Sequence, residues 1–336
     1  MSRAEQSRAE QSRAEQSRAE WIDACRGLGI LLVLLGHCNP PFNKLIYSFH
    51  MPLFFILSGY LYKYPKDVFK YGKHLLIRYI VPYFLLCSIN LIFSLITGKV
   101  GMLPKYIVGI VYSRGTMEWM PNCSPLWFLT CLVCALFIYN IIMNFENEIA
   151  RRTLIITCCF VSYVLNIFHA PKLFWNLDSA LMAVLFIYLG DKINLNNSFL
   201  FNLDAIKVTL LVCIGFIAAY VNSSVSFDGN EYGNIILMVC SGLFISFGFM
   251  YLFRHICNPP KFLSYFGKHT LFFVGFDYFS CILALKIFCK FGLLSAQNNF
   301  FTVFCFKIVI LSTGLFLWNI FINRISNDKF RRVLSI

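Results

Sequence analysis

Asp23, Arg26 and His37 fall inside or at the edges of one apolar run, WIDACRGLGILLVLLGH, and His50 sits in the next. A charged group placed within lipid costs about 2.5–3.5 kcal/mol on insertion scales, so each is a functional candidate by default. Arg26 and His37 are eleven residues apart. On an α-helix that spacing puts them only ~20° apart around the axis and ~16 Å apart along it, on one face. Asp23 precedes Arg26 by three residues, within pairing reach. His50 stands directly before Met51-Pro52, where the proline removes a backbone donor and loosens the helix. Imidazole can take a proton from a hydroxyl near neutral pH, and a guanidinium suits a phosphate or an oxyanion. The bland alternative makes Asp23 and Arg26 markers of one membrane interface and His37 of the other.

The elements that must hold these groups are apolar helices. Of 336 residues, 58% are hydrophobic and 13% charged, against about 25% charged in an ordinary soluble domain. The mean hydropathy is +0.67 over the whole chain, more apolar surface than a soluble protein of this size can hide. Ten segments have the length and composition of membrane-crossing helices: 22–38, 42–62, 75–97, 125–144, 153–170, 174–191, 205–223, 234–253, 263–285 and 301–322. The stretch 100–113 is shorter and contains Pro104, which reads as interfacial or re-entrant. With both termini inside, most Lys and Arg fall in cytoplasmic segments, as the positive-inside rule requires. The expected fold is therefore an all-α polytopic bundle of about ten transmembrane helices with both termini cytoplasmic. The net charge of +13 is explained by topology and implies no nucleic acid.

Residues 1–20 are a separate tail: SRAEQ repeats three times from Ser2 and SRAE runs on to Glu20. It contains no signal peptide and reads as a soluble helix or a disordered segment. A five-nucleotide repeat such as AGCAG encodes Ser-Arg-Ala-Glu-Gln over three units, so repeat slippage would switch the reading frame and vary expression. Most of the fourteen cysteines lie in apolar runs. Cys131 and Cys134 read as packing, not redox or metal chemistry, and Cys38 and Cys123 fall in expected outer loops where they could pair. No metal cluster is visible.

The stretch Asp23-x-x-Arg26-Gly27, then Leu35-Gly36-His37, Phe49-His50-Met51-Pro52-Leu53-Phe54-Phe55 and Leu57-Ser58-Gly59-Tyr60 resembles the opening of the membrane-bound acyltransferase-3 family. The resemblance continues through Pro82-Tyr83, Leu126-Trp127-Phe128-Leu129, Asp178 to Gly190, and Tyr265-Phe266-Gly267-Lys268-His269-Thr270-Leu271. It thus extends over nearly all the chain after Trp21, and is most specific in 23–60. It implies a domain over 21–336 that moves acetyl from acetyl-CoA, a co-substrate and not a bound cofactor, to a hydroxyl of a cell-surface glycan such as lipopolysaccharide or capsule. It further implies a bacterial inner membrane location and essential roles for Arg26 and His37. His50 joins them as a candidate catalytic group. No further soluble domain is expected, because the last apolar run ends close to Ile336.

The remaining polar groups are placed with the same resemblance. Asp23, Trp127, Asp178 and Asp277 become candidate acceptor contacts, and Arg26 and Lys268 candidate contacts to CoA phosphates. Asp178 is equally an ordinary capping carboxylate, Trp127 an interfacial anchor and Lys268 a topological charge. Where the family often carries a histidine after the Gly-Lys-x-Ser/Thr-Leu motif, this chain has Asp277, which leaves that position open. The rival class is a transporter or flippase for a lipid-linked glycan or small solute, which also suits many spans and intramembrane charges. Against it, the two halves show no internal repeat.

Overall fold

A computed structural model describes residues 3–96, 100–116, 118–120, 122–256, 259–293 and 298–324, with the backbone alone described up to residue 19. Among them the fold is all helical apart from one isolated bridge between Ser226 and Glu231. The helices are α1 (Arg3–Gly36), α2 (Asn43–Tyr60), α3 (Val68–Ile96), α4 (Leu103–Tyr112), α5 (Trp127–Met143), α6 (Glu148–Ile167) and α7 (Leu177–Leu195). They continue with α8 (Ala205–Val221), α9 (Ile235–His255), α10 (Lys261–Lys268), α11 (Thr270–Gly275), α12 (Asp277–Lys290) and α13 (Phe300–Asn323).

Local chemistry sets these boundaries. The repeat, rich in Ala, Glu, Arg and Gln, joins the first apolar run without a break, so α1 is one helix from Arg3 to Gly36. It stops where Asn39 takes a left-handed φ of 52° ahead of Pro40 and Pro41, neither of which can continue a helix. Asp67, Asn147, Asn234 and Asn299 accept backbone N–H bonds at the starts of α3, α6, α9 and α13. In α3 the turn Leu76–Ile80 widens to i→i+5 hydrogen bonding just before Pro82, where proline withholds the regular donor.

Among the described residues four helices are long and apolar enough to cross a membrane: Val68–Ile96, Ser124–Met143, Ile235–His255 and Phe300–Asn323. The other expected spans are also helical, but they carry polar groups or are cut short. Segment 100–113 folds as the ten-residue α4. The expected span 263–285 departs most from the sequence reading, for it is three helices jointed at His269 and Phe276. The charges beyond residue 324, at 97–99 and in the repeat side chains, on which the topology partly rested, lie outside the described residues.

Two glycine-mediated crossings fix the bundle. A Cβ on Gly27 of α1 would overlap the Leu263 carbonyl of α10, and one on Gly267 would overlap the Asp23 carbonyl. The same reciprocal approach joins α2 and α7, where Gly59 meets the carbonyl of Ile187 and Gly190 that of Ile56. Small residues allow this backbone contact between apolar helices, and all four belong to the motif stretches quoted above.

The expected Cys38–Cys123 pair does not form: both are free thiols. Cys38 lies against Cys281 and the Ala284–Phe288 face of α12, donating to the Leu34 carbonyl at 3.3 Å. Cys123 is buried against Cys87 of α3. The two sulfurs thus belong to different packing clusters. Cys131 and Cys134 are also free, the first fully buried.

Candidate active site

The break before α12 is what places Asp277. Ending α11 at Gly275 frees that residue's carbonyl, which accepts a 2.9 Å hydrogen bond from Asn90 Nδ2 of α3. Asp277 then opens a new helix, where the positive end of the backbone dipole favours a carboxylate. It has no solvent exposure and meets two basic side chains, His37 of α1 through Nδ1 and Lys307 of α13 through Nζ. Lys307 is equally buried, and donates in addition to the Leu34 carbonyl at 3.0 Å.

His37 Nδ1 lies within hydrogen-bond reach of the Asp277 carboxylate, which can accept an Nδ1–H; in that tautomer Nε2 keeps its lone pair. The ring stacks on Tyr278, with centroids 5.1 Å apart, and lines a cavity of about 280 Å³. His50 lines it too, its Nδ1–H donated at 2.9 Å to the Ile46 carbonyl of its own helix. Tyr47 packs edge-on to His50 with centroids 4.9 Å apart. The far wall is Trp127 and Phe128 of α5 with Gly115, Thr116 and Ser124 from the loop before it. Ser226, Phe227 and Asp228 close the cavity from the α8–α9 loop.

That loop is held by buried polar groups. Ser179 of α7 donates to the Phe227 carbonyl, Ser162 of α6 reaches the Asn230 Oδ1 at 3.3 Å, and Tyr232 donates to Asn230 at 2.6 Å. Asp228 pairs with Lys172 at 2.9 Å. Burial pushes the Asp228 carboxyl above its ordinary range, while Lys172 beside it pulls in the opposite direction.

At the start of the apolar part of α1, Arg26 reaches the Asp23 carboxylate at 3.4 Å, with about a third of its side chain (32%) exposed. A second, wider cavity of about 780 Å³ opens there, lined by Glu20, Pro259, Pro260, Lys261, Ser264, Tyr265 and Lys268. The basic groups Lys261 and Lys268 share it with one carboxylate.

The structure thus brings together His37, His50, Trp127 and, behind His37, Asp277. Asp277 is not on the cavity wall, so the expected direct acceptor contact is replaced by a place behind the histidine. Asp178 is also buried away from the cavity, in the first turn of α7. Lys268 lines the wider cavity, whereas Arg26 and Asp23 lie outside the walls of both.

Sequence reasoning missed three participants. Lys307 and Asp277 are opposite charges in two apolar runs, and that alone could have suggested a pair. Asp228 and Lys172 lie in loops among other polar residues and carry no such signal. Among the described residues no three His, Cys, Asp or Glu side chains converge as metal ligands.

A family model described as an acyltransferase domain, the membrane acyltransferase family 3, matches residues 19–336. The chain belongs to that family. It is therefore a membrane acyltransferase, which sets aside the carrier reading. Neither a curated protein nor a solved structure matches it significantly. The matched region of this acyltransferase begins just before Trp21 and takes in both cavities, both glycine crossings and the buried Asp277–Lys307 pair.

Proposed function

We propose that this acyltransferase moves acetyl from acetyl-CoA to a hydroxyl of a cell-surface glycan, with His37 as the general base. The observation that carries the reading is the arrangement of His37, which meets a buried carboxylate on one side and lines a small, partly aromatic cavity on the other. A cavity of about 280 Å³ is at the small end of ligand pockets, ~300–1,000 Å³, and suits one sugar ring with an acyl group better than a long chain. Trp127 offers a flat apolar face to a pyranose, and Asp228 accepts from its hydroxyls.

The donor enters from the cytoplasmic side at the wider cavity, where Lys261 and Lys268 meet its phosphates and Arg26 stands close by on α1. Its thioester arm then runs along α1 toward His37, about 16 Å from Arg26 along the axis. His37 Nε2 takes the acceptor hydroxyl proton as that oxygen attacks the thioester carbon. The carbon–sulfur bond breaks, and the thiolate recovers the proton from His37. Asp277 holds the ring in the required tautomer throughout, and His50 forms the neighbouring wall. The setting is a bacterial inner membrane with the acceptor at its outer face.

Mass spectrometry of surface glycans tests this in strains with the gene intact, deleted, and carrying His37→Ala. One acetyl per modified residue, present only with the intact gene, is the expected result. Acetylation unchanged by deletion of an in-frame gene sinks the glycan acceptor. Acetyl lost on deletion but kept in His37→Ala sinks the role of His37.

A further inference from the structure

We propose that Lys307 is a positioning residue whose charge keeps His37 free of a second proton and so able to act as a base; this rests on the role given to His37 above. Lys307 has no exposure to solvent and its ammonium is held at two points, the Asp277 carboxylate and the Leu34 carbonyl at 3.0 Å. Leu34 lies three residues before His37 on α1. One side chain of α13 thus fixes both the helix that carries the histidine and the carboxylate that orients it.

The argument is a count of charge in a low-dielectric interior, where a lone carboxylate is strongly disfavoured. Two groups touch Asp277 and could compensate it, Lys307 and His37. With Lys307 present the count closes on a neutral imidazole. With Lys307 removed, a proton on His37 Nε2 restores neutrality, and the resulting imidazolium has no lone pair with which to accept the acceptor's proton.

No other described neighbour can substitute. Tyr47 and His50 face the cavity from α2, Tyr278 stacks on the ring from α12, Asp228 approaches from the α8–α9 loop, and Cys38 directly follows the histidine in the chain. None carries a fixed positive charge. On the loop side Lys172, which does, is committed to Asp228 at 2.9 Å. His50 already donates its Nδ1–H to its own helix.

Diethyl pyrocarbonate provides a test that needs neither donor nor acceptor, because it acylates only the unprotonated nitrogen of an imidazole. The full-length protein is labelled near neutral pH and the rate at His37 read by peptide mass spectrometry, with exposed His255 as internal reference. The native protein and Lys307→Arg should label His37 at similar rates. Lys307→Met should lower the rate about tenfold or more, and Lys307→Met/Asp277→Asn should restore it to within a few-fold. Equal labelling of His255 and monodisperse elution verify folding. Should Lys307→Met fail that check, Lys307→Gln takes its place.

Lys307→Met labelling like the native protein overturns the proposal. So does a double variant that labels no faster than the single one, since a merely structural lysine gives that pattern. Acetyl transfer is measured on the same samples. A native protein that shows the expected labelling but transfers no acetyl sinks the glycan acetylase reading and leaves this one standing. Normal transfer by Lys307→Met does the reverse.

Discussion

Where the apolar part of α1 begins, the ion pair of Arg26 with Asp23 spans 3.4 Å and both partners keep part of their surface exposed. At the His37 end the partners Asp277 and Lys307 have none. The first end faces a wide cavity of about 780 Å³ with lysines on its wall, the second an enclosed one of about 280 Å³. Both ends combine a carboxylate with basic groups, yet they suit different work. A pair that keeps contact with solvent can rearrange around an incoming anion. A buried cluster is held in one geometry, which a general base needs.

The buried end should give the largest response. Asp277→Leu leaves Lys307 charged, buried and without its counter-ion, a cost of about 3–5 kcal/mol. Asp277→Leu/Lys307→Met removes both charges and should recover most of the lost stability. Thermal unfolding in detergent compares the two. If the double variant is no more stable than the single one, the pair is not a closed charge unit and the contrast between the ends of α1 fails.

How visible this contrast was beforehand depended on the kind of interaction. Helices and their apolar faces are local, so the all-α character of the apolar segments could be read from neighbours in the chain. His37, His50 and Trp127 could be singled out by type and motif, and they do share a cavity. The joint at Phe276 could not, because it depends on Asn90 of α3 accepting the role of partner to the Gly275 carbonyl, 185 residues away. For the same reason Asp277 read as a lining carboxylate, when it is the group behind His37. Asp228 reaches the cavity only through a loop tied down by Ser162, Ser179 and Asn230, and no spacing rule announces that.

An intermediate effect is expected at the joint between the two ends. Gly27 and Gly267 set the distance between α1 and α10, and an added methyl at either meets a backbone carbonyl with no rotamer to relieve it. Gly267→Ala should destabilise by about 1–3 kcal/mol, as overpacking does. It should also disturb the wide cavity more than the enclosed one, because Ser264, Tyr265 and Lys268 ride on α10. Thermal unfolding and the KM for acetyl-CoA measure the two parts. A normal KM at reduced stability would show that α10 packs on α1 without shaping the donor site.

The smallest change belongs to the exposed end itself. On the proposed mechanism Lys268→Gln removes one phosphate contact and leaves the base intact, so KM for acetyl-CoA should rise about tenfold or less with kcat nearly unchanged. The native KM should in turn rise with salt, and the variant's less steeply, because exposed charges are screened within ~8–10 Å at moderate ionic strength. Charge alone is at stake here, so Lys268→Arg should behave like the native protein. At the buried end geometry counts as well as charge. A fall in kcat with an unchanged KM in Lys268→Gln would move that lysine from docking into the reacting half of the molecule. The division of labour along α1 would then have to be redrawn.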